Sequence, residues 1–199
     1  MRPRIAASAL FALTLIAVST TVRSADVEAG RRKTAECATC HGADGNATLP
    51  GMPSLAGHPA YYTHWQLVMF RNQRRRDPQM TPIAAKLSDE DMADISAYFA
   101  AQASRPRAGR QAIDSATREA GQRLTNIYHC TSCHGPKLLG QEAVPRLVGQ
   151  DQEYLLKRLR GYQRRTSSDL EGFMTSSAQP LTDADIEILA RYIASLEPS

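Results

Sequence analysis

Outside two short motifs the 199-residue chain contains no cysteine, so its thiols are confined to two places. Long apolar runs are equally scarce. Only residues 5–18 are predominantly hydrophobic, and no stretch reaches the roughly 20 apolar residues that a membrane-spanning helix needs. Arg2 and Arg4 precede that run and small or polar residues follow it through Ser24, the layout of a secretory signal peptide over 1–24 with a mature chain from Ala25. A charge excess is missing too. Without Arg2, Arg4 and Arg23 the chain holds 21 basic against 20 acidic residues, which gives no support to nucleic-acid binding. No strand-rich unit is legible, which argues against a thioredoxin-like dithiol.

What is present falls in a pattern. The four cysteines occur as Cys37-Ala38-Thr39-Cys40-His41 and Cys130-Thr131-Ser132-Cys133-His134, each a C-x-x-C-H. A spacing of three sets two thiols along one edge of a porphyrin, where they add to its vinyl groups, and the next residue brings an imidazole to the iron. Two disulfides in an oxidising compartment would leave each following histidine unexplained. A four-thiolate zinc site would have to join pairs 93 residues apart. The motifs therefore predict two covalently bound haem c groups, one at Cys37 and Cys40 and one at Cys130 and Cys133.

The segments after the motifs recur in order, which marks an internal duplication. Pro53-Ser54-Leu55-Ala56-Gly57 matches Pro145-Arg146-Leu147-Val148-Gly149, followed by Tyr62 or Tyr154. Leu87-Ser88-Asp89 matches Leu181-Thr182-Asp183, followed by Tyr98 or Tyr192. The repeat narrows the search for a second iron ligand. After Cys133 the sole methionine is Met174, 40 residues past His134, and Met80 lies 39 past His41. His41 with Met80 and His134 with Met174 are thus the expected axial pairs. Met69 and Met92 read as core, Met52 as too close to the attachment site, His129 as misplaced beside Cys130. A bis-histidine iron using His58 or His64 is the competing arrangement for the first half.

The periodicity is helical throughout. Ser88 with Asp91 and Thr182 with Asp185 have capping-box spacing. Residues 115–128 set Ala116, Ala120, Leu124 and Ile127 on one face, and the last helix sets Ile186, Leu189, Ala190, Ile193 and Leu196 on one stripe. Gly30 and Gly121 occupy equivalent positions where a second helix could cross closely. Residues 103–112, with Pro106, Gly109 and three arginines, read as a linker between 25–102 and 113–199. Arg71, Arg74, Arg75 and Arg76, and Lys157, Arg158, Arg160, Arg164 and Arg165, are partners for haem propionates or acidic docking surfaces, or else solvated helix faces. Pro53 and Pro145 shape the loops beside the histidines or simply make turns.

On these motifs, over residues 26–196, the chain resembles the dihaem cytochrome c4 family. The resemblance implies an all-α fold of two tandem class I cytochrome c domains with their haems near the domain interface. It also implies a periplasmic electron carrier, not an enzyme, at most peripherally attached to the membrane, serving a respiratory donor and a terminal oxidase. A haem subunit of a larger periplasmic oxidoreductase, such as a flavocytochrome sulfide dehydrogenase, is the alternative partner arrangement. An enzyme or gas sensor would need an open sixth position on iron, against which the two methionines argue.

Overall fold

The computed structural model describes residues 24–198; residues 1–23, most of the expected signal peptide, lie outside the described residues. Ten helices follow in order: α1 Val27–Lys33, α2 Ala35–His41, α3 Ala60–Arg71, α4 Met80–Ala84, α5 Asp89–Ala100, α6 Ser115–Ile127, α7 Cys130–His134, α8 Gln152–Gln163, α9 Phe173–Ser177 and α10 Asp183–Ser195. Among the described residues there is no strand, and no helix is long and apolar enough to cross a membrane.

The duplication is visible in the packing. In the first half α5 packs on α1 and α3; in the second α10 packs on α6 and α8. Both crossings pass over a glycine. A Cβ added at Gly30 would lie 2.1 Å from the Asp94 carbonyl oxygen, and one at Gly121 would lie 2.3 Å from Cβ of Tyr192. Only hydrogen fits either place. Both capping boxes form: the Ser88 hydroxyl accepts from Asp91 N–H at 3.0 Å and the Thr182 hydroxyl from Asp185 N–H at 3.1 Å, fixing where α5 and α10 begin.

The apolar side chains gather into two clusters. Leu67, Met92, Ile95, Tyr98 and Phe99 form one; Ile186, Leu189, Ala190 and Ile193 of α10 join Leu138, Val148 and Leu155 in the other. The stripe on α10 is as the periodicity predicts. On α6 the expected face holds only in part: Leu124 packs on the second cluster and Ala120 is half-buried, but Ala116 and Ile127 are exposed, and the fully buried positions are Gly121 and Thr125. Close approach to Tyr192 requires the glycine edge to face inward, and that outweighs the apolar pattern.

No helix lies between Ala100 and Ser115, yet the three arginines there are tethered. Arg105 pairs with Asp44 at 3.0 Å, Arg107 with Asp151 at 3.2 Å and Arg110 with Glu197 at 2.7 Å. Arg107 also donates to the carbonyls of Ala47 at 2.9 Å, Met52 at 3.2 Å and Leu49. The stretch therefore ties a loop of the first half to the start of α8.

Candidate haem sites

Each C-x-x-C-H is a short helix, α2 and α7, closed by a glycine with positive φ: Gly42 at 80° and Gly135 at 79°. A left-handed turn there takes the chain away from the histidine, and glycine adopts it without strain. None of the four cysteines forms a disulfide, and no group of three or more His, Cys, Asp or Glu side chains fit for a metal ion occurs among the described residues. The four thiols thus do not assemble one zinc site. Burial pushes the thiols of Cys37 and Cys130 above their ordinary pKa.

The two histidines are held alike. His41 Nδ1 lies 2.8 Å from the Pro53 carbonyl oxygen, and His134 Nδ1 lies 2.8 Å from that of Pro145. A carbonyl can only accept, so Nδ1 carries the proton and Nε2 keeps a lone pair, the tautomer a metal needs. Burial lowers the pKa of both rings and favours that neutral form. Pro53 and Pro145 therefore do more than turn the chain.

Met80 opens α4 and Met174 lies in α9, and a carboxylate anchors each. Asp77 Oδ1 accepts from Met80 N–H at 3.1 Å, and the Thr81 hydroxyl accepts from Asp77 N–H at 3.1 Å. Asp169 Oδ2 accepts from Met174 N–H at 2.8 Å, and the Thr175 hydroxyl donates to Asp169 Oδ1 at 2.8 Å. Sequence comparison of the halves misses this shared device, because the aspartate stands three residues before Met80 and five before Met174. A signal existed in the repeated Met-Thr pair.

A cavity of about 610 Å³ brings together Cys37, Cys40, His41 and Met80, and Met52 also faces it. Met69 and Met92 are buried in the core, away from it. Its wall combines apolar side chains, Leu55, Leu67, Phe70, Ile95 and Phe99, with the cations Arg74, Arg75, Arg76 and Arg158 and the carboxylates Glu36 and Asp77. The Thr63 hydroxyl in that wall is buried without a hydrogen-bond partner. Arg75 spends its donors on neutral groups, Gln66 and the Tyr154 hydroxyl, and Arg158 on Ser167, Ser168 and Tyr162. Arg75 and Arg158 face the cavity with no ion-pair partner among the described residues, an arrangement that suits an anion. An apolar ring bearing carboxylates at one edge fits this site. Arg74, Arg76, Lys157 and Arg164 line the cavity while remaining exposed, and Arg165 is exposed outside it.

The second site gathers its donors without the same room. His134 and Met174 face a cavity of about 70 Å³ that Cys130 and Cys133 do not line. The donor chemistry matches the first half, and Leu147, Leu155, Leu159 and Ile193 make the wall apolar.

His58 and His64 do not join either donor set. His64 lines neither of these two cavities. His58 lines both, but its Nδ1 accepts from Arg146 N–H at 3.2 Å and its ring meets Gln150 and the Ser54 carbonyl. Burial, with the charge of Arg146, holds its pKa down to about 3. Tyr62 and Tyr154 also line both cavities, so the two sites share walls across the interface.

The sequence profile of the cytochrome c family matches residues 27–102 and again 118–197. Cytochrome c4 of Pseudomonas aeruginosa is 35% identical over 178 residues, 86% of this chain and 89% of the relative. The crystal structure of reduced recombinant cytochrome c4 from Pseudomonas stutzeri superposes with a TM-score of 0.79 at 31% identity, covering 87% of this chain and 100% of that one. The chain belongs to the dihaem cytochrome c4 family. It is accordingly an all-α dihaem electron carrier with two covalently bound haem c groups. A thiosulfate dehydrogenase electron acceptor of Stutzerimonas stutzeri is similar as well, 36% identical over 170 residues, 80% of this chain and 78% of that protein.

Proposed function

We propose that the chain carries single electrons in the periplasm, from a respiratory donor toward a terminal oxidase. Its two units are 25–102 and 113–199, joined by 103–112. Cys37 and Cys40 hold the first haem and Cys130 and Cys133 the second; His41 with Met80, and His134 with Met174, are the axial ligands. The bound haem iron supplies a reversible one-electron couple. The protein's part is to orient each imidazole through a proline carbonyl, to present a soft thioether opposite it and to exclude water with apolar walls. A thioether raises the reduction potential, so both sites operate at relatively positive potential.

The observation that carries this reading is the paired His–Pro bond, which leaves Nε2 of each histidine for a site that a methionine also faces. The test is a pyridine haemochrome assay together with the methionine–iron absorption band at the red end of the visible spectrum. Two haems per chain are expected, and Met80→Ala and Met174→Ala should each remove about half of the band. A full band in either variant overturns the assignment. The resemblance to a thiosulfate dehydrogenase electron acceptor favours a second reading, in which the donor is a sulfur-oxidising enzyme. Co-purification with a catalytic subunit distinguishes it.

A further inference from the structure

The carbonyl that orients each histidine belongs to a peptide whose N–H points into the other half of the chain. Pro53 C=O accepts from His41, and the N–H of the same peptide, on Ser54, donates to Gln150 Oε1 at 2.8 Å. Pro145 C=O accepts from His134, and the N–H of that peptide, on Arg146, donates to His58 Nδ1 at 3.2 Å. The two relays run in opposite directions across the interface. Ser54, His58, Arg146 and Gln150 are all 5% exposed or less, so water does not compete for these bonds. Both acceptors are held in place. Gln150 Nε2 donates back to the Ser54 carbonyl at 3.0 Å while its Oε1 also accepts from Asp151 N–H at 3.0 Å. His58 packs against Tyr62, with ring centroids 5.1 Å apart and the planes tilted by 38°.

An amide whose N–H is hydrogen-bonded has a more negative carbonyl oxygen, because successive bonds polarise one another. A stronger acceptor at Nδ1 makes the imidazole a more basic ligand, and outer partners of metal-bound histidines tune the metal in this way. We infer that each half of the chain sets the potential of the other half's iron through one peptide unit. His58 acts on the second site and Gln150 on the first, both as positioning residues. The inference rests on the axial assignment proposed above for His41 and His134. A more basic imidazole favours the ferric state, so removing either acceptor raises the potential on the far side of the interface.

The test uses the mature dihaem protein with His58→Leu and Gln150→Leu. In His58→Leu the Nδ1–H proton resonance of His134 should move upfield while that of His41 stays, and in Gln150→Leu the reverse. Spectroelectrochemical titration should show one wave raised by about two- to fivefold in its one-electron equilibrium, roughly 18 to 41 mV at 59 mV per tenfold. The wave is that of the half opposite the substitution, identified by Met80→Ala and Met174→Ala. His58→Gln keeps an acceptor and should restore both readouts at the second site. A residue that merely supports the interface would shift both halves together, or neither, and either result overturns the inference. So does a shift confined to the substituted residue's own half. If the methionine variants fail to identify the waves, the axial assignment is at fault, and the Nδ1–H resonances still decide the relay.

Discussion

Replacing Gly30 by alanine tests the helix crossing on which the first half is built. At an open helical position the change would stabilise the protein by about 1 kcal/mol. Here the added carbon would stand 2.1 Å from the Asp94 carbonyl oxygen, 2.6 Å from its carbon and 2.8 Å from Tyr98 Cβ. All three atoms belong to the backbone of α5 or sit directly on it, so no rotamer change can relieve the clash. Ordinary contact begins at 3.4 Å, and α1 must therefore retreat by about 1 Å or more. That retreat strains the bond from Asp26 N–H to Asp94 Oδ1 and the ion pairs of Lys33 with Asp91 and Asp94, all at 2.8 Å. Overpacking of this kind costs about 4 kcal/mol against the 1 gained, for a net loss of about 3 kcal/mol. For a chain of this size the melting temperature should fall by roughly 6 to 12 °C in scanning calorimetry of the haem-loaded protein. Arg32→Ala, on the exposed face of the same helix, should leave it within about 2 °C. A Gly30→Ala protein that melts at or above the parent refutes the crossing.

Acid should destabilise the fold through His58. Its pKa drops from 6.5 in the unfolded chain to about 3 when folded, so the unfolded state takes up the proton first. Stability present above pH 6.5 is lost as the pH falls toward 3, by up to about 5 kcal/mol; denaturant midpoints between pH 7.5 and 4 should show a smaller loss in His58→Gln, and equal losses would contradict it. Arg107→Ala should cost about 3 kcal/mol by urea unfolding, because it leaves Asp151 in a buried place without its ion-pair partner; a change under about 0.5 kcal/mol would count against the tether. Without haem the narrow core of each half should not suffice, so chain expressed without haem attachment is expected to lack a cooperative melt in circular dichroism.

The local signals proved readable because they depend on neighbours in sequence. The C-x-x-C-H motifs, the Ser88 and Thr182 caps and the apolar stripe of α10 are set within one or two turns of helix, where spacing alone decides which atoms meet. Duplication extends that reach: Met174, without competitors in its half, singles out Met80 as the candidate at the matching place. The α6 face was legible only in part, at Ala120 and Leu124, for the complementary reason: which side of an amphipathic helix is buried depends on what lies opposite, and Tyr192 demanded the side with Gly121.

Only the tertiary structure decided what happens between the halves. Nothing in the order of residues announces that Ser54 N–H meets Gln150, that Arg146 N–H meets His58, or that the linker arginine Arg107 reaches Asp151. These partners are 96, 88 and 44 residues apart along the chain. Their pairing follows from two folded units meeting face to face and having to satisfy every polar group they bury. Sequence by itself thus determined the all-α fold and that each half carries a haem-attachment motif; docking of the two halves determined the surroundings of the motif histidines.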